Sequence, residues 1–141
     1  MKVISVVGYK KSGKTTISVE LVKRLKEYGK VGTVKHLAHH SFSPSGTDTR
    51  KHLDAGAEMS VGLGEDELLT LKRNISLEDV LLEFESKGID FVVVEGFKDS
   101  SLPKIVLGTI DVPSALLRFE DGEEIDLDAA VNSVLGLKDH P

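Results

Sequence analysis

Residues 8–15 read GYKKSGKT, which fits the pattern G-x-x-x-x-G-K-[ST] of a phosphate-binding loop. An apolar run at residues 3–7 precedes the pattern, and a stretch with helical periodicity follows it. A strand, a glycine loop and a helix in this order are the context in which the pattern binds phosphate. Gly8 and Gly13 lack side chains, so the backbone can curl around an anion with its N–H groups pointing inward. The stretch therefore predicts an α/β domain organised around a nucleotide phosphate site.

The last residues of the loop have the chemistry to bind phosphate and metal. The N-terminus of the following helix adds free N–H groups and partial positive charge. Lys14 would reach the β- and γ-phosphates, and the Thr15 hydroxyl would bind Mg²⁺. The chain contains no Gln that could position a water molecule, so hydrolysis would depend on charge stabilisation by Mg²⁺ and Lys14. Lys14 is therefore the candidate catalytic residue, whereas Lys10 and Lys11 either screen phosphate charge or face water.

Length and composition favour one cytoplasmic domain that spans residues 1–141. The formal net charge of -5 gives no global basic field, so we expect no nucleic-acid partner. The absence of cysteine excludes disulfides and thiolate metal sites. No apolar run approaches the ~18 residues that a membrane helix needs, and the first strand begins too early to leave room for a signal peptide.

Helical and strand patterns alternate along the chain. The first predicted helix carries Ile17, Leu21, Leu25 and Tyr28 on one apolar face. The alternation predicts a three-layer P-loop α/β domain with a mostly parallel sheet flanked by helices. We predict strands at 2–7, 31–35, 57–63, 67–72, 89–96, 104–108 and 116–119, and helices at 14–28, 48–55, 77–87 and 126–137. Ser76, with Asp79 three residues on, is a variant of the capping box and would begin the third helix.

Glu95 lies at the end of a strand that contains three consecutive valines, the pattern of a fully buried strand. In P-loop proteins a carboxylate at this place binds Mg²⁺ directly or through water. Asp90 begins the same strand, and about 3.3 Å per residue places it roughly 16 Å away from Glu95. Glu95 is therefore the predicted metal residue, with a loop carboxylate that binds nothing as the alternative.

A polar loop at residues 36–46 contains His36, His39 and His40. It starts at the end of the second strand, the edge at which open α/β sheets bind ligands. A loop of this length in a small domain is usually functional or disordered. Imidazoles bind Zn, Ni or Cu, so metal binding, contact with an anion or cofactor, and plain loop polarity are all open.

Asp111 follows a predicted strand and is the candidate for reading the nucleotide base. Its carboxylate could accept hydrogen bonds from guanine N1–H and the guanine amino group, which adenine cannot offer. The chain has no N-K-x-D string, and an Asp in a loop is commonly a turn former. Composition and spacing therefore leave the identity of the base open.

Four short segments, in order, resemble the MobB family of molybdopterin-guanine dinucleotide biosynthesis adapter proteins. The resemblance extends from about residue 2 to residue 107 and implies a P-loop fold of the GTPase type. It also implies binding of GTP and Mg²⁺, weak GTPase activity, a homodimer and partnership with the guanylyltransferase that attaches GMP to molybdopterin. Molybdopterin itself is a further candidate ligand. The segments are residues 8–16, residues 32–36 with 39–40, residues 46–50 with 55–57, and residues 94–98.

The resemblance also assigns residues to the site. Asp48 and Glu95 would be the acidic residues near Mg²⁺, although Asp48 also suits the first turn of a helix. After residue 105 the chain departs from the family pattern, in the region that should hold the base. Predicted nucleotide-binding residues are Gly8, Lys11, Ser12, Gly13, Lys14, Thr15, Thr16 and Asp111; predicted metal residues are Thr15, Asp48 and Glu95; and predicted cofactor or partner contacts are Lys35, His36 and His39.

Two other function classes remain open. A small-molecule kinase could use the same loop, but a kinase needs a lid, often with arginines over the phosphates. The four arginines of the chain are far apart in sequence, and no segment has the length of a lid. A metal-insertion GTPase would use His36, His39 and His40 to bind its metal.

Overall fold

The computed structural model describes residues 1–38, residue 42 and residues 47–141. It divides into two compact units. The first unit consists of residues 1–36 and 81–141, and the second consists of residues 37–80. The interpretation of residues 1–141 as one nucleotide-binding domain stays a prediction.

Every predicted strand and helix is found, with bounds that differ by a few residues. None of the helices in the described part of the chain is long and apolar enough to cross a membrane. The elements are β1 (Lys2–Gly8), α1 (Lys14–Leu25), β2 (Val31–Lys35), α2 (Asp48–Asp54), β3 (Met59–Leu63), β4 (Leu68–Lys72), α3 (Leu77–Ser86), β5 (Phe91–Glu95), β6 (Lys104–Leu107), β7 (Ala115–Phe119) and α4 (Leu127–Leu135).

Helix α1 ends three residues earlier than predicted. The N–H of Tyr28 donates to the carbonyl of Leu25 at 2.9 Å, and the N–H of Glu27 donates to that of Arg24 at 3.3 Å. These bonds between residues three apart tighten the last turn, as is common at helix ends. The tighter turn removes Tyr28 from the apolar face, and this residue is 62% exposed. Its placement on the buried face was therefore wrong.

The first unit contains a five-stranded sheet in the order β2-β5-β1-β6-β7. All four neighbouring pairs are parallel, which confirms the predicted sheet. Lys35 pairs with Glu95 at the ends of β2 and β5, and Gly8 pairs with Leu107 at the ends of β1 and β6. The carboxyl ends of these four strands therefore meet at one edge of the sheet, next to the glycine loop.

Helices cover both faces of this sheet. Ile17, Leu21 and Leu25 of α1 are buried in one core cluster with residues of α4 and of the strands. Each fully buried side chain of this size contributes about 1.5–3 kcal/mol to folding. On the opposite face, Phe84 of α3 packs so closely on Gly32 that a Cβ there would lie 2.8 Å from its ring. The predicted three-layer architecture is confirmed.

The second unit contains α2 and the antiparallel hairpin β3–β4. Leu53 of α2 and Leu71 of β4 are buried, and Thr49 lies against Gly62 of β3. The other face of the hairpin is exposed. It carries the polar residues Thr70 and Lys72 and the apolar residues Met59, Val61, Leu63 and Leu68.

The first turn of α3 has the predicted capping box. The Asp79 carboxylate accepts from the Ser76 N–H at 2.8 Å and from its hydroxyl at 2.6 Å, and Ser76 Oγ accepts from the Asp79 N–H at 3.1 Å. These hydrogen bonds from the Ser76 side chain and backbone lower the pKa of Asp79 below its ordinary value of 3.8.

Candidate phosphate and metal site

The backbone of the loop between β1 and α1 is sharply curled. Lys11 has a φ of 61° and Gly13 has a φ of 93°, so both lie in the left-handed region. The Ser12 N–H donates to the Tyr9 carbonyl at 3.1 Å. A Cβ at Gly8 would lie 2.9 Å from the backbone oxygen of Leu107, so any side chain there would displace β6. The sequence thus adopts the strand, loop and helix arrangement in which successive N–H groups form an anion nest.

Lys14 is the first residue of α1, and its side chain folds back over this loop. Its ammonium donates to the carbonyl oxygens of Tyr9 at 2.7 Å and Gly8 at 3.1 Å. The Ser12 hydroxyl is buried and has no hydrogen-bond partner among the described residues. A buried hydroxyl without a partner is costly, and a phosphate oxygen is a partner of suitable chemistry.

One oxygen of Glu95 joins three elements. Its Oε1 accepts from the Thr15 hydroxyl at 2.8 Å and from the Lys35 ammonium at 2.9 Å. The Glu95 side chain is only 12% exposed, whereas that of Lys35 is 55% exposed. A hydroxyl and a carboxylate in contact at the start of the helix are oxygen ligands of the kind that Mg²⁺ binds.

The segment after Glu95 is fixed by neighbouring strands. The Ser5 hydroxyl of β1 donates to the Gly96 carbonyl at 2.5 Å, and the Gly96 N–H donates to Val6 at 3.0 Å. Gly96 has a φ of 103°, and a Cβ there would lie 2.8 Å from that of His36. The rings of His36 and Phe97 stack with centroids 4.1 Å apart. The backbone directly after Glu95 is therefore held in place by β1 and by the residue that follows β2.

Lys104 of β6 holds the far end of the same segment. This fully buried ammonium donates to the carbonyl oxygens of Ser100 and Leu102, the latter at 2.9 Å. Burial lowers the pKa of Lys104, and the charge of Asp99 partly opposes this shift. Lys104 thus holds the end of the segment that follows Glu95.

The loop between β1 and α1, together with Glu95 and Lys35, lines a cavity of about 440 Å³ that is open to solvent. Four of the described residues that line it are lysines, and one is a carboxylate, so the cavity suits a polyanion. The orphaned Ser12 hydroxyl, the curled backbone and the contact between Thr15 and Glu95 together fit a nucleotide phosphate with a divalent cation. The lining residues are Lys10, Lys11, Ser12, Gly13, Lys14, Thr15, Thr16, Lys35 and Glu95.

The structure brings only some of the predicted residues to this cavity. His36 directly follows β2, its ring stacks on Phe97, and it is not among the described residues that line the cavity. Asp48 is the first residue of α2 and belongs to the second unit, so its role near the metal stays a prediction. His39 and His40 lie outside the described residues. Within the part of the chain that the structure describes, no three His, Cys, Asp or Glu side chains lie close enough to hold a metal ion.

Asp111 is exposed and lies in the short connection between β6 and β7. One end of this connection is at the carboxyl edge, where the Gly108 N–H donates to Phe119 at 2.8 Å. The other end is at the amino edge, where the Lys104 N–H donates to Ser114 at 2.9 Å. Asp111 therefore lies partway between the two edges, and its contact with a base stays a prediction.

Sequence reasoning missed two residues near the end of β7. Arg118 donates to the carbonyl oxygens of Gly108 at 2.6 Å and Ile110 at 3.0 Å, so it holds the connection after β6. Asp121 follows β7 at the carboxyl edge, and its carboxylate would be 3.1 Å from a Cβ at Gly108. The only sequence signal for Asp121 was its position just after the end of a predicted strand. Glu120 has the same signal, so the sequence could not single out Asp121.

The strand order, the curled loop and the carboxylate at the end of β5 define an α/β protein with the fold of P-loop NTPases. Residues 3–129 match the family model described as MobB, Molybdopterin guanine dinucleotide synthesis protein B. The match spans most of the sequence, so the chain belongs to the MobB family.

Individual relatives agree with this assignment. The molybdopterin-guanine dinucleotide biosynthesis adapter protein of Haemophilus influenzae is 31% identical in an alignment of 125 residues that covers 84% of this chain and 69% of that protein. A curated protein of Methanocaldococcus jannaschii is 36% identical in an alignment of 130 residues that covers 89% of this chain and 51% of that protein. The chain thus spans about half the length of the archaeal relative.

A solved structure supports the fold. The crystal structure of Bacillus subtilis MobB matches this chain with a TM-score of 0.70, covering 97% of this chain and 100% of that one. The two are 21% identical in sequence, so this likeness concerns the fold alone.

Proposed function

We propose that this protein is a GTP-binding adapter in the biosynthesis of molybdopterin-guanine dinucleotide. It would bind GTP with Mg²⁺ in the cavity beside the loop, have at most weak GTPase activity, and assist the guanylyltransferase of the pathway. The observation that carries the proposal is the contact between Thr15 and Glu95 within a cavity that four lysines also line. Membership of the MobB family supplies the pathway.

Each residue of the cavity has a role in this proposal. The curled backbone around Gly13 donates N–H groups to the β-phosphate, and Ser12 gains the partner that it lacks among the described residues. Lys14 exchanges its two carbonyl partners for phosphate oxygens, which are stronger acceptors because they are charged. Thr15 and Glu95 would hold Mg²⁺, which neutralises charge on the phosphates when it is bound.

Slow hydrolysis fits an adapter better than a catalyst. The chain has no Gln to orient an attacking water molecule. Lys14 and bound Mg²⁺ would stabilise the developing charge, but the cavity is open to solvent, which weakens each electrostatic interaction. An open site can instead present a bound nucleotide to a second protein.

The kinase alternative loses support from the arginines, because all four have partners within the chain. Arg24 pairs with Asp128 at 2.6 Å, and Arg50 and Arg73 both pair with Asp54. Arg118 is bonded to carbonyl oxygens of the connection after β6. None of the arginines is therefore an unpaired cation that could cover a bound phosphate.

The pathway is taken from the name of a relative, and the partners from the family resemblance of the sequence rather than from the geometry. The Haemophilus influenzae relative is named as an adapter protein of molybdopterin-guanine dinucleotide biosynthesis. We propose the guanylyltransferase of that pathway as the partner and molybdopterin as a further ligand. We also propose that the protein is a homodimer, and the exposed apolar face of the β3–β4 hairpin supports this.

The experiment that tests this proposal is calorimetric titration with non-hydrolysable GTP and ATP analogues, with Mg²⁺ and with EDTA. We expect binding of the GTP analogue that strengthens with Mg²⁺. Lys14→Ala should abolish binding, because the lysine supplies the main charge on the phosphates, and should leave the thermal unfolding curve unchanged. Lys23→Ala, on the exposed side of α1, is the matched control and should bind like the wild type.

Three results would contradict the proposal in different ways. Preference for the ATP analogue would favour a kinase. Nickel or zinc binding that depends on His36 would favour a metal-insertion GTPase. Nucleotide affinity unchanged in Lys14→Ala would remove the phosphate role of the loop.

A further inference from the structure

Lys35 occupies a position that the proposed metal-bound state does not allow. Its ammonium donates to Glu95 Oε1 at 2.9 Å, and the Thr15 hydroxyl donates to the same oxygen at 2.8 Å. This is the oxygen beside which a cation held by Thr15 and Glu95 would lie. Two cations this close in a site that is partly shielded from water repel each other strongly. Lys35 must therefore find another partner when the divalent cation binds.

The phosphate cavity offers that partner. Lys35 lines the same cavity as the loop, and its side chain is 55% exposed, so the ammonium is free to turn. The strand order places β2 beyond β5 as seen from β1, so Lys35 lies on the far side of Glu95 from the loop. A phosphate chain that starts in the loop and extends past Glu95 would have its terminal phosphate nearest to Lys35.

The backbone of Lys35 does not need to move for this exchange. Lys35 pairs with Glu95 in the parallel sheet, and the next residue, His36, donates its N–H to the Glu95 carbonyl at 2.9 Å. The His36 ring stacks on Phe97 and holds this end of β2 in place. Only the flexible four-carbon stem of the lysine has to turn.

We propose that Lys35 is a terminal-phosphate residue that the nucleotide-free protein holds on Glu95. When a nucleoside triphosphate and a divalent cation occupy the cavity, the Lys35 ammonium leaves the carboxylate and binds the terminal phosphate. In the free protein it neutralises Glu95 and stands in for the cation. The exchange rests on the proposed function, because it requires nucleotide in this cavity, and it makes Lys35 the residue that distinguishes triphosphate from diphosphate.

The test is calorimetric titration of wild type and three variants with the GTP analogue GMPPNP and with GDP, in Mg²⁺ and in EDTA. Lys35→Met should weaken GMPPNP binding in Mg²⁺ on the order of tenfold, which is the usual loss for a charge-assisted contact. GDP binding should change by less than about twofold, because no terminal phosphate is present. The GMPPNP loss should be smaller in EDTA, where Lys35 stays on Glu95.

Two further variants distinguish a specific contact of Lys35 with the terminal phosphate from the mere loss of a positive charge in the cavity. Lys10→Met removes the same charge from the same cavity without touching Glu95, and it should weaken GMPPNP and GDP by the same factor. Lys35→Arg keeps a long cation and should restore most of the preference for GMPPNP. Thermal unfolding curves of Lys10→Met and Lys35→Arg should overlay with that of the wild type. Lys35→Met should lower the Tm, because Glu95 loses its cationic partner, so the titrations are run well below the unfolding transition of this variant.

The possible results of these titrations distinguish failure of the proposed role of Lys35 from failure of GTP binding. Equal losses for GMPPNP and GDP in Lys35→Met, no loss at all, or the same loss in EDTA as in Mg²⁺ would overturn the role of Lys35 and leave GTP binding intact. Failure of the wild type to bind either nucleotide would overturn the proposed function and the role of Lys35 with it.

Discussion

At Glu95 a single carboxylate oxygen accepts from a hydroxyl and an ammonium that arrive from different elements. The side chain is 12% exposed, so its charge is only weakly screened and needs a cationic partner. Lys35 provides that partner. The same charge, placed beside the first turn of α1, makes Glu95 the natural residue for a divalent cation.

We expect Glu95→Gln to weaken nucleotide binding mainly in the presence of Mg²⁺. An amide keeps the size of the side chain but lacks the charge that attracts the cation, so Mg²⁺-dependent affinity should fall by about tenfold or more. Affinity in EDTA should fall much less. Calorimetric titration under both conditions measures the two losses.

Asp121→Asn is the control for Glu95, because it neutralises a carboxylate at the same sheet edge but away from Thr15. Any loss in this control should be the same with and without Mg²⁺. If Glu95→Gln also loses equally under the two conditions, Glu95 is not a metal residue.

At the scale of elements, the sequence was sufficient to predict structure that depends on residues close together in the chain. The glycine loop, the valine-rich strand β5 and the capping box at Ser76 depend on residues a few positions apart, and all three were predicted. The contact between Lys35 and Glu95 joins residues 60 positions apart and depends on β2 being the neighbour of β5. No periodicity encodes that order of strands.

The expectation for Asp111 illustrates the same limit. A strand end followed by a carboxylate predicts a residue at the ligand edge. The connection from β6 to β7 has no helix and runs directly toward the amino edge, which the sequence pattern did not indicate. Arg118, which holds this connection, belongs to the next strand, so its role became visible only in three dimensions.

The capping box predicts a pH dependence of stability. The pKa of Asp79 is lower in the folded protein than its ordinary value of 3.8. The stabilisation is therefore fully present above that ordinary value and is lost as the pH falls through the lower folded pKa. We expect Asp79→Asn to lower the Tm at pH 7, and the gap from the wild type to narrow below pH 3.8, where the wild-type carboxylate also becomes neutral.

Thermal unfolding followed by circular dichroism at several pH values measures this gap. Glu85→Gln removes a carboxylate from the other end of α3 and should not lower the Tm at pH 7, because negative charge there opposes the helix dipole. A gap between Asp79→Asn and the wild type that stays constant down to pH 2 would contradict the assignment.

At the scale of the whole molecule, the two units differ in how they bury apolar surface. The first unit covers both faces of its sheet with helices, and its central strands β1, β5 and β6 are buried almost throughout. The second unit packs one face of a two-stranded hairpin on the short helix α2 and leaves the other face exposed. Two-stranded hairpins are marginally stable in water, so this face needs a cover.

The homodimer that we propose would supply that cover with a second copy of the chain. Met59, Val61 and Leu63 alternate along β3, and Leu68 lies opposite Leu63, so one apolar stripe crosses the hairpin. These four residues are between 46% and 80% exposed. A charge in the middle of the stripe would have to be buried at the interface, which costs several kcal/mol. Val61→Glu should therefore convert the dimer to a monomer, as measured by sedimentation equilibrium.

The matched control is Leu82→Glu, which introduces the same charge at an exposed leucine of α3 in the first unit. It should sediment as a dimer. GTP-analogue affinity should be retained in Val61→Glu, because every described residue that lines the phosphate cavity belongs to the first unit. A wild-type protein that sediments as a monomer at all concentrations would refute the dimer. A dimer that persists in Val61→Glu and dissociates in Leu82→Glu would assign the interface to the first unit instead.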